Sequence, residues 1–370
     1  MIEITGVAQR QAWLDGVLPP VEQVRPGLWS IPVPIPLNPL RYVLAYAFEL
    51  PDGVALVDVG WNTEEAWAAL SRGLIATGHS VDDVRAILVT HIHPDHYGLA
   101  GRVRERSGAW IGMHELEARA LRRRYVAVDA LIAQGVRWML ECGAAPDEAD
   151  QLAGSSRDIL PWVRLAEPDR LLADGQRELL PGWQLRAVWT PGHTPGHLCF
   201  YEEATKVFLA GDHVLPRISP SVSKHPEQIS DPLGAFLGTF DALAALDTDE
   251  VLPAHEYRFR TLGDRLAALR EHHEDRLSEL LDLVVDQPSS STWQLAERLT
   301  WSRPWSEIRS YIRRAAVGET LAHLVLLADR GLVLNVGGPT HQWRPTPSAQ
   351  AAGATTAATG TRTSPGSSQR

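Results

Sequence analysis

Residues Thr90–His96 read THIHPDH, three histidines and one aspartate in seven residues. His91 and His93 stand two apart, so in an extended or tightly turning segment their side chains point the same way. Asp95 and His96 follow on a turn that Pro94 favours by restricting φ. Neutral imidazoles and a carboxylate are good ligands for zinc, iron or manganese. Packed behind an apolar strand, such groups carry a heavy desolvation cost unless an ion or dense hydrogen bonding satisfies them. One turn cannot complete two metal shells. Three later motifs each follow an apolar run: TPGHTPGH offers His193 and His197, LAGDHV offers Asp212 and His213, and LPAHEY offers His255. Their place at the ends of strands predicts convergence on one sheet edge.

The elements that must position these residues alternate between strand and helix, an α/β pattern. LWSIPVPI, RYVLAYAFEL and VALVDVG read as strands, with LPDG as a turn. NTEEAWAALSRGLIATG reads as a helix: Thr63 is the N-cap, two glutamates lie in the first turn, and glycine ends it. VRAILVT is a buried strand that delivers the histidine cluster. A helix over YGLAGRVRERSG and a strand over AWIGMH follow. Residues 115–160 then lose all strand signal and show helical spacing, which predicts a helical insertion. Strands return with WQLRAVWT, HLCFYEE and KVFLAGD. DPLGAFLGTFDALAALD reads as one helix, EVLPAH as a short strand, and RTLGDRLAALREHHEDRLSELLDLVV as a long helix.

DQPSSST marks a boundary. Beyond it TWQLAERLT, WSEIRSYIRRA and GETLAHLVLLADRG read as three helices, and LVLNVGGPTHQW as two short strands around a Gly-Gly-Pro turn. Three helices and a small wing predict a winged-helix-like module. The expected organisation is therefore a catalytic domain over 1–285, the module over 286–345, and a low-complexity, disordered tail over 346–370.

Composition narrows the function classes. A net charge of -10 offers no chain-wide basic field for nucleic acid. From Ser290 to Arg344 about seven arginines face four acids, a weaker excess than nucleic-acid modules carry; structural packing or homodimer formation suits the module better. The two cysteines, Cys142 and Cys199, build no disulfide framework and fit a reducing compartment. The N-terminus lacks a signal-peptide pattern and no apolar run is long enough to span a bilayer, so the expectation is a cytoplasmic protein with no membrane contact.

Taken together, HxHxDH, TPGHTPGH, GDH and PAH resemble the metallo-β-lactamase superfamily over about residues 28–275. The resemblance implies an αββα sandwich with metals at one edge of its two sheets. It implies two ions, zinc foremost with iron or manganese as alternatives. His91, His93 and His193 would hold the first, Asp95, His96 and His255 the second, and Asp212 would bridge them. Asp58, in LVDVG, would orient a ligand by hydrogen bonding. His197 reads as a structural residue that starts the next strand, and His213 as a neighbour of the bridging aspartate.

Such a pair of ions implies hydrolysis by a metal-bridging hydroxide, with Asp95 also relaying a proton. HEY resembles the glyoxalase II branch, which suggests Tyr257 as a substrate contact, although that branch's Gly-Cys-Gly loop has no counterpart in GDHVLPRISPSVSKHP. The long helix with HHEDRL and the C-terminal plan resemble the β-lactamase-like-protein-2 branch, which includes endoribonucleases. His272 and His273 on that helix read as a packed, partly solvated face. The preferred substrate is a small thioester or other carboxylic ester; a phosphodiester or RNA is the alternative. The insertion is expected to cover the metal cleft, with Leu131, Trp138 and Met139 on one apolar face and Trp138 shaping the acyl pocket.

Overall fold

Period-two strands with apolar residues on both faces must be covered on both faces, and this chain covers them with two stacked sheets and outer helices. The computed structural model describes residues 2–36 and 38–349. Among them, the first sheet runs Glu22–Arg25, Leu28–Pro34, Tyr42–Leu50, Gly53–Val57, Val84–Leu88, Trp110–His114, Arg170–Leu172. Its first four strands pair antiparallel and the last three join in parallel. The second sheet runs Glu3–Ile4, Phe259–Arg260, Glu250–Pro253, Val207–Gly211, Leu198–Glu202, Leu185–Trp189.

Alternation sorts the side chains into layers. Leu28, Tyr46, Phe48 and Leu88 of the first sheet meet Leu198, Phe200, Leu209 and Leu252 of the second in the central core. The outer face of the first sheet, with Ile31, Val43 and Leu56, takes Leu70 and Leu74 of the helix Glu64–Ala76. That helix starts as expected: Ala66 N donates to Thr63 Oγ1 at 3.0 Å. The outer face of the second sheet, with Cys199, Phe208 and Val251, takes Phe236 and the long helix Leu262–Asp286. The expected αββα layering is present.

Strand direction decides where the site lies. Gly53–Val57 and Val84–Leu88 are parallel, so Asp58 and His91 emerge at the same edge. Val207–Gly211 and Glu250–Pro253 are also parallel. Leu185–Trp189 runs the same way, because each of the two steps from Val207–Gly211 is antiparallel. All five strands therefore end at one edge.

The insertion folds as three helices, Glu115–Tyr125, Val128–Cys142 and Pro146–Gly154. Met139, Cys142 and Leu152 share a buried cluster with Trp293, Leu321 and Leu324, so the insertion and the C-terminal segment pack on each other over the second sheet. Within the C-terminal segment, Thr292–Arg298 is a helix, and Val333–Asn335 pairs with Trp343–Pro345 as a hairpin. The next two helices read from the sequence are one: Ser310–Asp329 is continuous, and only the turn Trp305–Glu307 stands apart. Gly318 does not break it. A Cβ there would lie 3.0 Å from Ser223 Cβ and 3.2 Å from Lys224 O, so the glycine serves a close approach of the 219–228 loop.

Other corrections are local. DPLGAFLGTFDALAALD makes two short helices, Pro232–Gly238 and Phe240–Ala244, rather than one. The N-terminal helix Val7–Asp15 and the strands Glu3–Ile4 and Glu22–Arg25 carry no clear period and were not legible. The boundary of the disordered tail at residue 346 is too early: Thr346 Oγ1 donates to Gly331 O at 2.9 Å and Ala349 is buried. The rest of that tail, 350–370, lies outside the described residues. No helix among the described residues is long and apolar enough to cross a membrane.

Candidate metal centre

His91 and His93 lie on the loop after Val84–Leu88, Asp95 and His96 on the short helix Pro94–Tyr97 that follows, and His193, Asp212 and His255 after later strands. His91 Nε2 and His93 Nδ1 lie 2.9 Å apart, and His193 Nε2 is 3.2 Å from the first and 3.1 Å from the second. Three nitrogens at this spacing suit the edges of a tetrahedron whose metal–nitrogen bonds are about 2.0–2.1 Å. A second group lies beside it. Asp95 Oδ2 is 3.6 Å from His96 Nε2 and 3.5 Å from His255 Nε2. Asp212 spans the two groups: Oδ1 is 3.1 Å from His255 Nε2 and 3.5 Å from His96 Nε2, while Oδ2 is 3.5 Å from His193 Nε2. The combinations His91–His93–His193, His91–His96–Asp212 and Asp95–His96–His255 could each hold an ion.

The outer hydrogen bonds assign the tautomers. His96 Nδ1 donates to Asp58 Oδ2 at 2.7 Å, His193 Nδ1 to Ser221 O at 2.8 Å, and His255 Nδ1 to Tyr42 O at 2.8 Å. Thr90 Oγ1 donates to Asp58 Oδ2 at 2.9 Å and so accepts from His91 Nδ1 at 3.0 Å. Four rings are thus left with a bare Nε2 aimed at the centre, the arrangement by which partners behind a ligand set its tautomer. Nε2 of His96, Nε2 of His255 and Oδ1 of Asp212 are buried with no hydrogen-bond partner among the described residues. Orphaned acceptors converging this closely fit divalent cations.

The backbone makes room for this. Asp58 adopts φ 58°, a conformation Asp tolerates better than most residues, and this turns its carboxylate back onto Thr90 N at 2.9 Å. Gly211 has φ 51°, and a Cβ there would lie 2.6 Å from His197 Nε2. The glycine of GDH is therefore required by packing. His197 is structural, as expected: its Nε2 accepts from Asp212 N at 3.1 Å and its Nδ1 donates to Thr190 Oγ1 at 2.8 Å. His213 Nε2 instead meets Thr239 Oγ1 at 2.8 Å, away from the ligand atoms.

The two halves differ in charge. Burial holds His91, His93 and His193 below the ordinary imidazole range, so that half is neutral. Burial works the same way on His96 and His255, but Asp212 and Asp95 outweigh it and raise both. Asp212 is held well below the ordinary carboxylate range, because His255 and His96 outweigh its burial. Without a cation, the carboxylates draw protons onto His96 and His255; a metal ion takes the place of those protons.

Of the expected substrate contacts, Tyr257 packs in the inter-sheet core, with Arg10 facing its hydroxyl. Trp138 borders a cavity of about 350 Å³ with Arg137, Lys224, His225 and Leu321, and none of these residues belongs to the ligand groups. The insertion reaches the centre through its first helix instead. Glu117 is buried and accepts from Ile92 N at 2.9 Å and Gly196 N at 2.8 Å, tying the two histidine loops together. Nothing in ELEARALRRR distinguishes Glu117 from the exposed Glu115 except helical phase.

The metallo-beta-lactamase superfamily model matches residues 38–255. The chain is 34% identical to a metallo-beta-lactamase family protein of Thermus thermophilus of known structure, covering 88% of this chain and 100% of that one with a TM-score of 0.75. It is 26% identical to a beta-lactamase domain protein of Burkholderia ambifaria, covering 93% of this chain and 98% of that one with a TM-score of 0.76. Among curated proteins, the lactamase-like protein vrtG of Penicillium aethiopicum is 32% identical over 116 residues, 31% of this chain and only 35% of the relative's length. The probable metallo-hydrolase YqjP of Bacillus subtilis is 24% identical over 256 residues, 67% of this chain and 77% of the relative. A match spanning more than half the chain, on the fold and ligand geometry described above, means that the chain belongs to the metallo-beta-lactamase superfamily.

Proposed function

We propose that the protein is a dinuclear metal-dependent hydrolase of a small thioester or other carboxylic ester. The observation that carries this reading is the convergence of ligand groups from four strand ends around the partnerless Nε2 of His96, Nε2 of His255 and Oδ1 of Asp212. His91, His93 and His193 are assigned to one ion, Asp95, His96 and His255 to the other, and Asp212 to both. Zinc suits this set of nitrogen and oxygen donors, as do iron and manganese. Bound divalent ions supply Lewis acidity and lower the pKa of water, which provides a nucleophile near neutral pH.

The chain's own groups do the rest. Asp58 and the carbonyls of Tyr42 and Ser221 hold the rings so that no imidazole needs to reorient. Asp95 lies at the same edge and takes up the proton of the attacking water. The new C–O bond forms as the acyl C–S or C–O bond breaks, and that proton passes to the leaving thiolate or alkoxide. The probable metallo-hydrolase among the relatives supports the reaction type. The net charge of -10 favours a small substrate over a nucleic acid.

The phosphodiesterase or endoribonuclease reading draws on the run Arg122–Arg124 at the end of the helix Glu115–Tyr125, which suits a nucleotide backbone as well as the phosphates of a coenzyme A thioester. One experiment separates the two. Purified, metal-loaded protein is assayed on acyl thioesters, lactones, phosphodiesters and single-stranded RNA. Turnover of a thioester or lactone, lost in His93→Ala, supports the first reading. RNA cleavage lost in the same variant, with no ester turnover, replaces it with the second.

A further inference from the structure

A cavity of about 350 Å³ lies where three parts of the chain meet. The insertion helix Val128–Cys142 brings Gln134, Arg137, Trp138 and Glu141 to it, a spacing that puts all four on one helix face. Lys224 and His225 of the 219–228 loop line another side, and Leu321 of the helix Ser310–Asp329 and His341 of the hairpin turn complete it. Hydrogen bonds tie these parts together around the space. His341 N donates to Glu141 O at 2.6 Å, Lys224 N to Gly318 O at 2.9 Å, and Ser223 Oγ to Ala315 O at 3.1 Å. The cavity is therefore preformed, and its volume falls within the range of small-molecule pockets, about 300–1,000 Å³.

Its walls hold more positive charge than negative. Arg137 and Lys224 are answered by Glu141 alone, since burial lowers His341 and His225 and keeps both rings neutral. Among the described residues no hydrogen bond or ion pair engages the Arg137 guanidinium. Lys224 Nζ donates to Ile229 O at 2.7 Å, yet no carboxylate pairs with it among the described residues. Burial lowers it from the ordinary lysine range despite the charge of Asp231. Glu227 N donates to His225 Nδ1 at 3.3 Å, which leaves the proton of the neutral ring on Nε2. Trp138 Nε1 is buried in the same wall without a partner. Unspent donors and an excess of cations, set beside the apolar surfaces of Trp138 and Leu321, suit an anionic head on an apolar body.

The loop that walls the cavity also holds a metal-ligand candidate. Ser221 O accepts from His193 Nδ1 at 2.8 Å, and Gln228 Nε2 donates to Gly192 O at 2.8 Å. Lys224 and His225 lie between these two anchors. We propose that the cavity binds a small organic anion, a carboxylate or a phosphate ester with an apolar body, and that its occupant steadies the loop that holds His193. An anion that engages Lys224 restrains the span between the anchors, which links its binding to that of the metal. None of the lining residues belongs to the ligand groups, so this is a second site beside the place of hydrolysis. The binding is independent of which ester the metals cleave; the coupling rests on the assignment of His193 to an ion.

The test uses the metal-loaded full chain. Benzoate and phenyl phosphate are titrated by calorimetry beside benzamide, a neutral analogue of benzoate. At least one anion should bind more tightly than benzamide, and the tighter of the two identifies carboxylate or phosphate. Arg137→Gln, at an exposed position with no bond to lose, should weaken that anion about 10- to 100-fold, the range of a lost charge-assisted hydrogen bond. Gln134→Trp, which sets a bulky ring at the exposed rim, should abolish its binding. His93→Ala should bind it as the wild type does, which separates this site from capture of the anion by the metals. In competition with phenanthroline, a neutral chelator, the anion should raise the metal affinity of the wild type about fivefold, the lower end of typical coupling between sites, and leave Gln134→Trp unchanged. If neither anion binds in preference to benzamide, or if wild type and Arg137→Gln bind alike, the site is overturned. Unchanged metal affinity with the anion bound overturns the coupling. If the wild type holds no metal, the hydrolase reading fails by itself and the titrations still decide the site.

Discussion

Two buried histidine clusters in this protein look alike in composition and differ in what their nitrogens do. At the metal edge, Nε2 of His96 and of His255 has no partner. Where the long helix Leu262–Asp286 meets the C-terminal segment, His273 Nδ1 donates to His323 Nε2 at 3.1 Å, and His323 Nδ1 donates to Glu319 O at 2.8 Å. His273 Nε2 completes the chain, 3.4 Å from Ser219 Oγ. Every ring nitrogen of this pair is satisfied without an ion, and among the described residues no carboxylate hydrogen-bonds to either ring. Burial and the neighbouring imidazole push His273 down to about 3, and burial alone accounts for most of the fall of His323 to about 4. Clustered histidines bind metal when their outer nitrogens are tied down and their inner ones are left bare. A pair that closes its own hydrogen-bond chain is a packing element.

Four experiments press on that contrast. The largest effect is expected from His93→Ala, which removes one corner of the all-imidazole triangle and should abolish hydrolysis in a steady-state assay. Residual turnover above the uncatalysed rate would show that this triangle is not needed. His255→Ala should next reduce bound metal from about two ions toward about one per chain by elemental analysis, because the other triangle stays whole. A wild type that never exceeds one ion at saturating metal would rule out the second half.

Asp58→Ala removes a partner behind the ligands rather than a ligand. It should weaken metal binding about 10- to 100-fold in chelator competition. The double variant His273→Asn, His323→Gln should leave metal content alone and change only the acid dependence of stability. The sign follows from the depressed values. Below the ordinary 6.5 the unfolded chain takes up protons that the folded pair refuses until about pH 4. Stability contributed by the neutral pair is therefore complete above pH 6.5 and lost as pH falls from there, by up to about 1.4 kcal/mol per pH unit for each histidine. Thermal melts at pH 7 and pH 5 should show a smaller drop in the double variant than in the wild type. An unchanged drop would mean that the pair does not titrate as its burial requires.

His273 also shows why a sequence reading stops where it does. HHEDRL places it on a long helix but not on the face that meets His323, fifty residues away in the chain. Glu117 is hidden in the same way, since it lies in an ordinary helical stretch of charged and apolar residues. The fused helix Ser310–Asp329 was obscured by Gly318, which reads as a local breaker and serves a tertiary contact.

What the sequence determined by itself was the inventory and its order. Strands with period-two apolar residues end one after another in His91, His193, Asp212 and His255, and parallel pairing of like-directed strands brings those ends to one edge. Local chemistry suffices for that, because turn residues, strand period and ligand type are encoded within a few positions. Only the tertiary structure decided which nitrogen of each ring is bare, which carboxylate oxygen faces which half, and that Glu117 of the insertion ties the two histidine loops together. Those outcomes depend on hydrogen-bond partners up to 213 residues apart, such as Tyr42 O behind His255, and no local pattern records a contact across that distance.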